Sequence, residues 1–377
     1  MGSVVVPDIE IPQSLRPADG RFGCGPSKVR PQAVAALAAT HAAYLGTSHR
    51  QPPVRDMVAR LRSGLLELFA APPGYEVLLG NGGASLFWDA ATFGLIERRS
   101  QHCVFGEFSL KFAQAAAAAP HLGAPERVDA EPGSHPLPHP RSDIDTYALT
   151  HNETSTGVVM PIRRPAQEGL VLVDATSAAG AVPVDLAETD VYYFSLQKVF
   201  AADGGLWVAV CSPAAIRRIE AIAASRRWVP SSLSLPLALA NSRLEQTVNT
   251  PSLATLFLAV HQLDWMHAQG GLAGAVARSA AASTVVYRWA ESRPFARPFV
   301  SDPVMRSPVV ATIDLDPEIS AGTVSQVLRR NGIVDTDAYR KLGRNQLRIG
   351  LFPAVELDDC HRLVASIDHV VAALVAG

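Results

Sequence analysis

The sequence has few cysteines and few charged residues. Only 4 of its 377 residues are cysteine; they are scattered, and none forms a Cys-x-x-Cys pair or lies near histidines at metal-ligand spacing. Neither a disulfide framework nor a metal site is indicated, and a reducing, cytoplasmic compartment is expected. Charged residues make up 18% of the chain and the formal net charge is -2. No overall field therefore attracts a polyanion, and we expect no nucleic-acid partner.

Long apolar runs are also missing. No uninterrupted run approaches the roughly 20 residues that a membrane-spanning helix needs, and the first residues lack the basic and then apolar pattern of a secretory signal. We therefore expect a soluble protein with no membrane partner. Hydrophobic residues make up 48% of the chain, which is typical of a globular protein. A prior of about 150 residues per domain predicts two folded units.

Short apolar runs alternate with helix-like stretches between about residues 76 and 211. The strand candidates are EVLLG, HCVFG, TYALT, LVLVD, VYYFS and GLWVAVC. Continuous apolar strands that alternate with helices predict an α/β domain with a mainly parallel sheet. Polar and glycine residues follow several of these strands directly. Because ligands bind beyond the carboxyl ends of such strands, we expect the chemistry there.

The chain after Cys211 has a different pattern, which predicts a second domain. Ser212-Pro213 and Thr250-Pro251 each predict the start of a helix. Further on, the sequence reads strand, helix, strand and helix, which indicates a compact α+β unit. We predict a large α/β domain over residues 21–268 and a small C-terminal α+β domain over residues 269–377, joined by the N-terminal segment 1–20.

An acid at the end of one predicted strand and a lysine after the next carry the strongest chemical signal. They are Asp174 and Lys198. Pyridoxal phosphate needs such a pair, since a lysine forms an imine with it while a carboxylate keeps its pyridine nitrogen protonated. Singly, the aspartate is more often a capping residue and the lysine a solvated charge. Together, on adjacent parallel strands, they predict a pyridoxal-phosphate enzyme.

The segment GNGGAS predicts an anion site. Glycines after a strand let the backbone approach an anion, and the N-terminus of the next helix offers free N–H groups. We therefore expect a phosphate to bind at Ala84 and Ser85. The spacing matches neither a dinucleotide fingerprint nor a Walker loop, so a plain turn is the alternative.

The VDATSAAGAVPVD segment resembles the fold-type I, class-V aminotransferases. Gln197, directly before Lys198, is similar to the phosphoserine aminotransferase branch of that family, in its actinobacterial form. The resemblance extends from RFGCGPSKVR to YRKLGRNQLRIGLFP and implies a large domain around a mainly parallel, seven-stranded-type sheet. The chain departs from the usual pattern at Phe108, Tyr339 and Val199, where tryptophan, histidine and a polar residue are more common.

The resemblance implies how the cofactor would be held. Ala84, Ser85 and Gln197 would bind its phosphate, while Asn249 and Thr250 would reach the phosphate of the neighbouring subunit's cofactor. The implied assembly is a homodimer with shared active sites. Each residue also has a structural alternative; Asn249 and Thr250, for instance, could simply cap a helix.

Further implied roles concern the cofactor ring and the substrate. Phe108 would stack on the pyridine ring, and Thr154 would hydrogen-bond near its phenolic oxygen. Arg348 would bind the substrate α-carboxylate, because the planar guanidinium suits carboxylates and phosphates. The residues implied around the distal phosphate or carboxylate are His49, Arg50 and Arg340. A solvated basic loop is the alternative for the arginine-rich segment.

The implied reaction is reversible amino transfer between L-glutamate and 3-phosphohydroxypyruvate, which gives O-phospho-L-serine and 2-oxoglutarate. The phosphorylated threonine analogue of vitamin B6 synthesis, 4-phosphohydroxy-L-threonine, would suit the same anion sites. One rival is a cysteine desulfurase or lyase of the same fold, which needs a nucleophilic cysteine over the cofactor. Cys24 lies in a glycine turn and is not an obvious nucleophile. The other rival is a non-catalytic binding protein with this fold.

Overall fold

In the computed structural model, residues 6–376 are described. Among them the strands are β1 (Glu76–Asn81), β2 (Ser100–Val104), β3 (Glu126–Asp129), β4 (Thr146–Thr150), β5 (Asn152–Glu153), β6 (Val158–Val159), β7 (Leu170–Asp174), β8 (Val191–Ser195), β9 (Leu206–Cys211), β10 (Ala296–Pro298), β11 (Val310–Leu315) and β12 (Gln346–Gly350).

Helices cover both sheets. The α-helices are α1 (Pro31–Ala38), α2 (Pro52–Leu68), α3 (Ala84–Gly94), α4 (Glu107–Ala118), α5 (Pro213–Ala224), α6 (Leu235–Arg243), α7 (Leu253–Ala268), α8 (Gly271–Glu291), α9 (Ala321–Arg330) and α10 (Leu357–Ala376). Short 3₁₀ helices lie at Gln13–Leu15, His41–Ala43, Leu186–Glu188, Ser231–Leu233, Pro303–Met305 and Arg340–Leu342.

Seven strands form the central sheet, in the order β1-β9-β8-β7-β4-β2-β3. β9 runs antiparallel to both of its neighbours, and the other adjacent pairs are parallel. The predicted α/β class with a mainly parallel sheet is confirmed. All six predicted runs overlap strands of this sheet. Edge strand β3 was not predicted, because its sequence ERVD is polar and alternates between half-buried and exposed residues.

The central sheet is buried on both faces, which explains why its strands read as continuous apolar runs. Along β1, Val77 and Leu79 belong to the hydrophobic core on one face, while Leu78 belongs to the core on the other. Successive strand side chains point to opposite faces, so an apolar run supplies both cores at once. This packing leaves the polar carboxyl ends of the strands as the natural place for a ligand.

A second sheet, with the strand order β10-β11-β12, is antiparallel. It packs with α8, α9 and α10 around a hydrophobic core of its own, to which the N-terminal residues Ile11 and Phe22 also belong. The division at residues 20 and 268 stays a prediction. Residues 1–5 of the predicted joining segment lie outside the described residues.

One predicted helix start is wrong. Thr250-Pro251 does not open α7, which begins at Leu253 after the N-cap Ser252. The Ser252 hydroxyl accepts a hydrogen bond from the N–H of Thr255, whereas Thr250 Oγ1 lies 3.1 Å from His49 Nδ1. The predicted cap at Ser212-Pro213 is observed, with Ser212 Oγ accepting from the N–H of Ala215. Within residues 6–376, no helix is both long and apolar enough to cross a membrane.

Candidate active site

A cavity of about 260 Å³ lies at the carboxyl ends of the strands of the central sheet. It brings together most of the site residues predicted from the sequence. Those that line it are Ala84, Ser85, Phe108, Thr154, Asp174, Gln197, Lys198 and Arg348. Strands β7 and β8 are adjacent and parallel, and this pairing brings Asp174 and Lys198 to the same cavity, as their order along the chain predicted.

Lys198 is held by contacts on several sides. Its Nζ donates a hydrogen bond to Thr154 Oγ1 at 2.8 Å, and its backbone carbonyl accepts one from the Ser27 hydroxyl. Gly25 packs so closely that an added Cβ would lie 2.8 Å from Lys198 Cε. Burial lowers the pKa of Lys198 to about 8, although the nearby carboxylates of Asp174 and Glu153 favour the charged form. The amine is therefore partly neutral near physiological pH, as a nucleophile or base must be.

Asp174 is a buried carboxylate at the end of β7, with 6% of its surface exposed. Its Oδ2 accepts a hydrogen bond from Trp88 Nε1 at 3.1 Å, and its Oδ1 accepts one from the Thr176 N–H at 2.9 Å. These two donors fix the direction of the carboxylate. The arrangement suits a partner for a protonated ring nitrogen.

The N-terminus of α3 also lines the cavity. Gly83 is the N-cap, and Ala84 N–H donates to Ser195 Oγ at 2.6 Å. Ser85 is exposed in the first turn and Gln197 lines the same cavity. Because helix N-termini favour anions, this end is suited to a phosphate.

Phe108 forms one wall of the cavity. Lys198 Nζ lies 5.1 Å from the centroid of its ring. The helix that carries Phe108 is anchored by Glu153, a fully buried carboxylate that accepts from the Ser109 N–H and the Ser109 hydroxyl, both at 2.9 Å. An acid at a helix N-terminus stabilises the unpaired N–H groups there. Phe108 therefore lies on a helix whose N-terminus is held in place by Glu153.

Arg348 reaches the cavity from the second sheet. It lies on β12, and its Nη1 donates to the Thr154 carbonyl at 3.2 Å. Its guanidinium carbon lies 5.1 Å from the centroid of the Tyr339 ring, a cation–π distance. A cation thus faces the same cavity as Lys198 and Asp174, which is what binding of a carboxylate substrate requires.

A sequence profile of the family described as "Aminotransferase class-V" matches residues 139–336, more than half of the chain. The chain belongs to the class-V aminotransferases. This membership confirms the resemblance drawn from the sequence, the transaminase class of enzyme and pyridoxal phosphate as the cofactor.

Whole-chain relatives agree with the family assignment. The chain is 58% identical over 367 residues to the phosphoserine aminotransferase of a Nocardioides species, covering 96% of this chain and 98% of the relative. It is 57% identical over 368 residues to a putative phosphoserine aminotransferase of Mycobacterium avium, covering 97% of this chain and 98% of the relative. The crystal structure of a phosphoserine aminotransferase from Cytophaga hutchinsonii matches with a TM-score of 0.85 at 26% identity, covering 93% of this chain and 99% of that one.

The cavity residues of this aminotransferase fit pyridoxal phosphate. Four buried polar atoms of cavity-lining residues have no hydrogen-bond partner within the described part of the chain: Asn152 Oδ1, Thr176 Oγ1, Gln197 Oε1 and Arg348 Nε. Such atoms indicate a polar ligand, because buried polar groups are otherwise paired. Lys198 would hold the cofactor covalently, Asp174 would hold its ring nitrogen, and the N-terminus of α3 would hold its phosphate. When bound, the cofactor supplies an electron sink for a carbanion at the substrate Cα.

Five predicted site residues do not line this cavity. His49 and Thr250 contact each other, and Arg50 Nη1 donates to Gln246 Oε1 at 3.2 Å. Asn249 is exposed on the same segment as Thr250. We call His49, Arg50, Asn249 and Thr250 the rim cluster. The fifth residue is Arg340, which is exposed in a 3₁₀ helix of the loop before β12.

Sequence reasoning missed several residues of the site. Trp88 and Glu153 act through hydrogen bonds to residues 86 and 44 positions away in the sequence, and neither has a local signal in the sequence. Cys24, which the sequence placed in a glycine turn and which was not counted among the site residues, lines the cavity with Lys198. Burial raises the pKa of its thiol, although the cations of Arg348 and Lys198 favour the thiolate. Gly25, directly after Cys24, was the available clue, because a residue without a side chain permits close approach to Lys198.

Proposed function

We propose that the chain transfers the amino group of L-glutamate to 3-phosphohydroxypyruvate and so forms O-phospho-L-serine and 2-oxoglutarate. The observation that carries this proposal is the convergence of Lys198, Asp174 and Arg348 on one cavity. It is supported by identities of 57–58% to proteins named as phosphoserine aminotransferases, one of them as putative. The related reaction of 4-phosphohydroxy-L-threonine stays a prediction, as does a cytoplasmic location.

Lys198 would act twice in this reaction. Its amine would hold the cofactor and, when free, would move a proton to or from the substrate Cα. A pKa of about 8 suits both roles, because the neutral and charged forms interconvert near physiological pH. Arg348 would orient the substrate through its α-carboxylate.

Within the rim cluster of a second copy of the chain, we assign His49 and Arg50 to the distal phosphate of the substrate, and Asn249 and Thr250 to the phosphate of the cofactor. His49 Nε2 is buried and has no hydrogen-bond partner among residues 6–376, so it is available to an anionic ligand. The chain segments around the cluster carry exposed leucines, with 44% of Leu45 and 58% of Leu244 exposed. Exposed apolar residues at such a site favour a protein interface. A homodimer would bury them and bring each rim cluster to the partner's cavity.

A desulfurase function is less well supported. It needs a cysteine thiolate near the cofactor, and Cys24 is the cysteine that lines the cavity. Because burial raises the pKa of its thiol, Cys24 is expected to stay protonated at neutral pH and to be a poor nucleophile.

Acceptor discrimination tests the proposed function. With L-glutamate as donor, we expect the purified enzyme with pyridoxal phosphate to give a kcat/KM for 3-phosphohydroxypyruvate at least about 100-fold above that for 3-hydroxypyruvate. The reason is that loss of charge-assisted hydrogen bonds to a phosphate costs roughly 3 kcal/mol. Product formation would be followed by coupled 2-oxoglutarate detection. Equal rates with both acceptors, or sulfide release from cysteine at a comparable rate, would overturn the proposal.

A further inference from the structure

The loop at residues 335–345, before β12, joins the second sheet to the wall of the active site. Its base is fixed to β12, since the N–H of Arg348 donates to the Thr336 carbonyl at 3.0 Å. Its tip is the 3₁₀ helix Arg340–Leu342. There Lys341 forms an ion pair with Glu107, the first residue of α4. The ion pair therefore ties the tip of the loop to the helix that carries Phe108.

A stack of side chains runs beside this ion pair. The ring centroids of Phe108 and Tyr339 are 6.0 Å apart, and Arg348 stacks on the Tyr339 ring. Lys198 Nζ lies over the Phe108 ring. Tyr339 thus lies between the aromatic wall and the guanidinium expected to bind the substrate, and its position depends on that of the loop tip.

Glu107 is well placed to hold the tip. Its side chain is only 13% exposed, while Lys341 is 67% exposed, so the carboxylate is the fixed member of the pair. Burial alone would raise the pKa of Glu107, but hydrogen bonds from Lys341 and Lys111 outweigh this and lower it. The buried Glu153 holds the same end of α4, because its carboxylate accepts a hydrogen bond from the Ser109 N–H. A partly buried carboxylate on a rigid helix can restrain a flexible cation more strongly than an exposed pair can.

We propose that Glu107 and Lys341 are positioning residues for substrate binding. Their ion pair holds the loop tip so that Tyr339 and Arg348 face the substrate, and it also sets the position of exposed Arg340. Neither residue lines the cavity with Lys198, so the pair acts through the loop and not on the reacting atoms. This inference deepens the proposed function and rests on it.

Kinetics of a variant set test the positioning role. Glu107→Gln and Lys341→Met should each raise KM for both substrates about fivefold, near the upper limit for a partly exposed ion pair, with kcat little changed. The double variant should be no worse than either single variant, because both remove the same interaction. Lys341→Arg should restore a KM close to that of the wild type. The matched control is Lys111→Met, which breaks the other ion pair of Glu107, within α4 at 3.3 Å, and should leave KM unchanged.

Hydrogen exchange supplies a readout that does not depend on turnover. In the holoenzyme, amides of residues 335–345 should exchange faster in Glu107→Gln and Lys341→Met than in the wild type or Lys111→Met. Unchanged exchange in both variants, or KM effects that add in the double variant, would overturn the positioning role. If the wild type itself fails to transaminate 3-phosphohydroxypyruvate, the proposed function is wrong, while the exchange data still report on the ion pair.

Discussion

At the scale of single residues, the site combines a lysine of lowered pKa with fixed hydrogen-bond partners for Lys198 and Asp174. Lys198 is buried and donates to Thr154, while Asp174 accepts from Trp88 and from the Thr176 backbone. Burial disfavours the ammonium form of Lys198 and lowers its pKa from 10.5 to about 8. The same effect that prepares the amine for chemistry makes the charged lysine a source of instability before the cofactor binds.

Lys198→Met should stabilise the cofactor-free protein at pH 7, by up to the order of 3 kcal/mol at about 1.4 kcal/mol per pKa unit. The direction of this stability change follows from the number of protons that the folded and the unfolded chain bind. Below pH 8 Lys198 is charged in both the folded and the unfolded chain, so the folded state bears the full cost of desolvating the ammonium group. Between pH 8 and 10.5 the unfolded chain binds more protons, so the stability of the wild type rises with pH. The stability advantage of Lys198→Met over the wild type should therefore disappear by pH 10.5.

Urea unfolding of cofactor-free protein at pH 7 and pH 10 measures this difference. Lys111→Met, at a lysine with 42% of its side chain exposed, is the control and should show no comparable pH-dependent gain. A Lys198→Met variant that is less stable than the wild type at pH 7 would mean that lost packing and the lost hydrogen bond to Thr154 outweigh desolvation of the amine.

At the scale of single elements, the starts of helices decide which side chains face the site. The start of α7 at Leu253, two residues later than predicted, leaves Asn249 and Thr250 outside the helix. Their side chains are then free to contact other segments, as Thr250 does with His49. Asparagine and threonine are good capping residues, but here Ser252 takes that role, because its hydroxyl accepts from the N–H of Thr255.

Ser252→Ala should lower the free energy of unfolding by about 1 kcal/mol, the usual cost of losing an N-cap hydroxyl. Thr250→Ala should cost clearly less, since Thr250 is exposed and does not cap α7. Thermal or urea unfolding of both variants measures the difference. A larger loss for Thr250→Ala would mean that the helix starts where the sequence alone predicted.

At the scale of the whole molecule, the candidate site is built from two sheets and, as we propose, from two copies of the chain. The central sheet provides Asp174 and Lys198 at its carboxyl edge, and β12 of the second sheet provides Arg348. The rim cluster does not line the cavity of its own chain. Activity is therefore expected to depend on assembly, because one chain alone would lack the residues for the distal phosphate.

Mixed dimers of Lys198→Ala and Arg50→Ala should recover about half of the wild-type activity per dimer. Each such dimer has one site that combines an intact Lys198 with the partner's intact Arg50, and one site that lacks both. The two variants would be co-expressed with different affinity tags and purified through both. The matched control is a mixed dimer of Lys198→Ala and Asp174→Ala, in which every cavity lacks one residue, so it should stay inactive. No recovery in the first pair would contradict shared sites.

The sequence by itself determined the α/β class, most strands of the central sheet and the pairing of Asp174 with Lys198. These features are local: an apolar run predicts a strand buried on both faces, and polar residues directly after parallel strands must meet at one edge. The motifs that resemble those of class-V aminotransferases added Phe108, Thr154, Gln197 and Arg348 to the predicted site, and all four line the cavity. The edge strand β3 and the start of α7 were less predictable, because polar edge strands and competing caps give weak local signals.

Only the tertiary structure decided which distant groups act on the site. Trp88 reaches Asp174 across 86 positions of sequence, and Lys341 reaches Glu107 across 234. The tertiary structure also placed Cys24 in the same cavity as Lys198 and kept the rim cluster out of that cavity. Such contacts depend on how helices and loops pack around the sheets, which the periodicity of a single segment does not encode. The tertiary structure also decides the pKa of Lys198, because that pKa is set by burial of the amine in the folded chain.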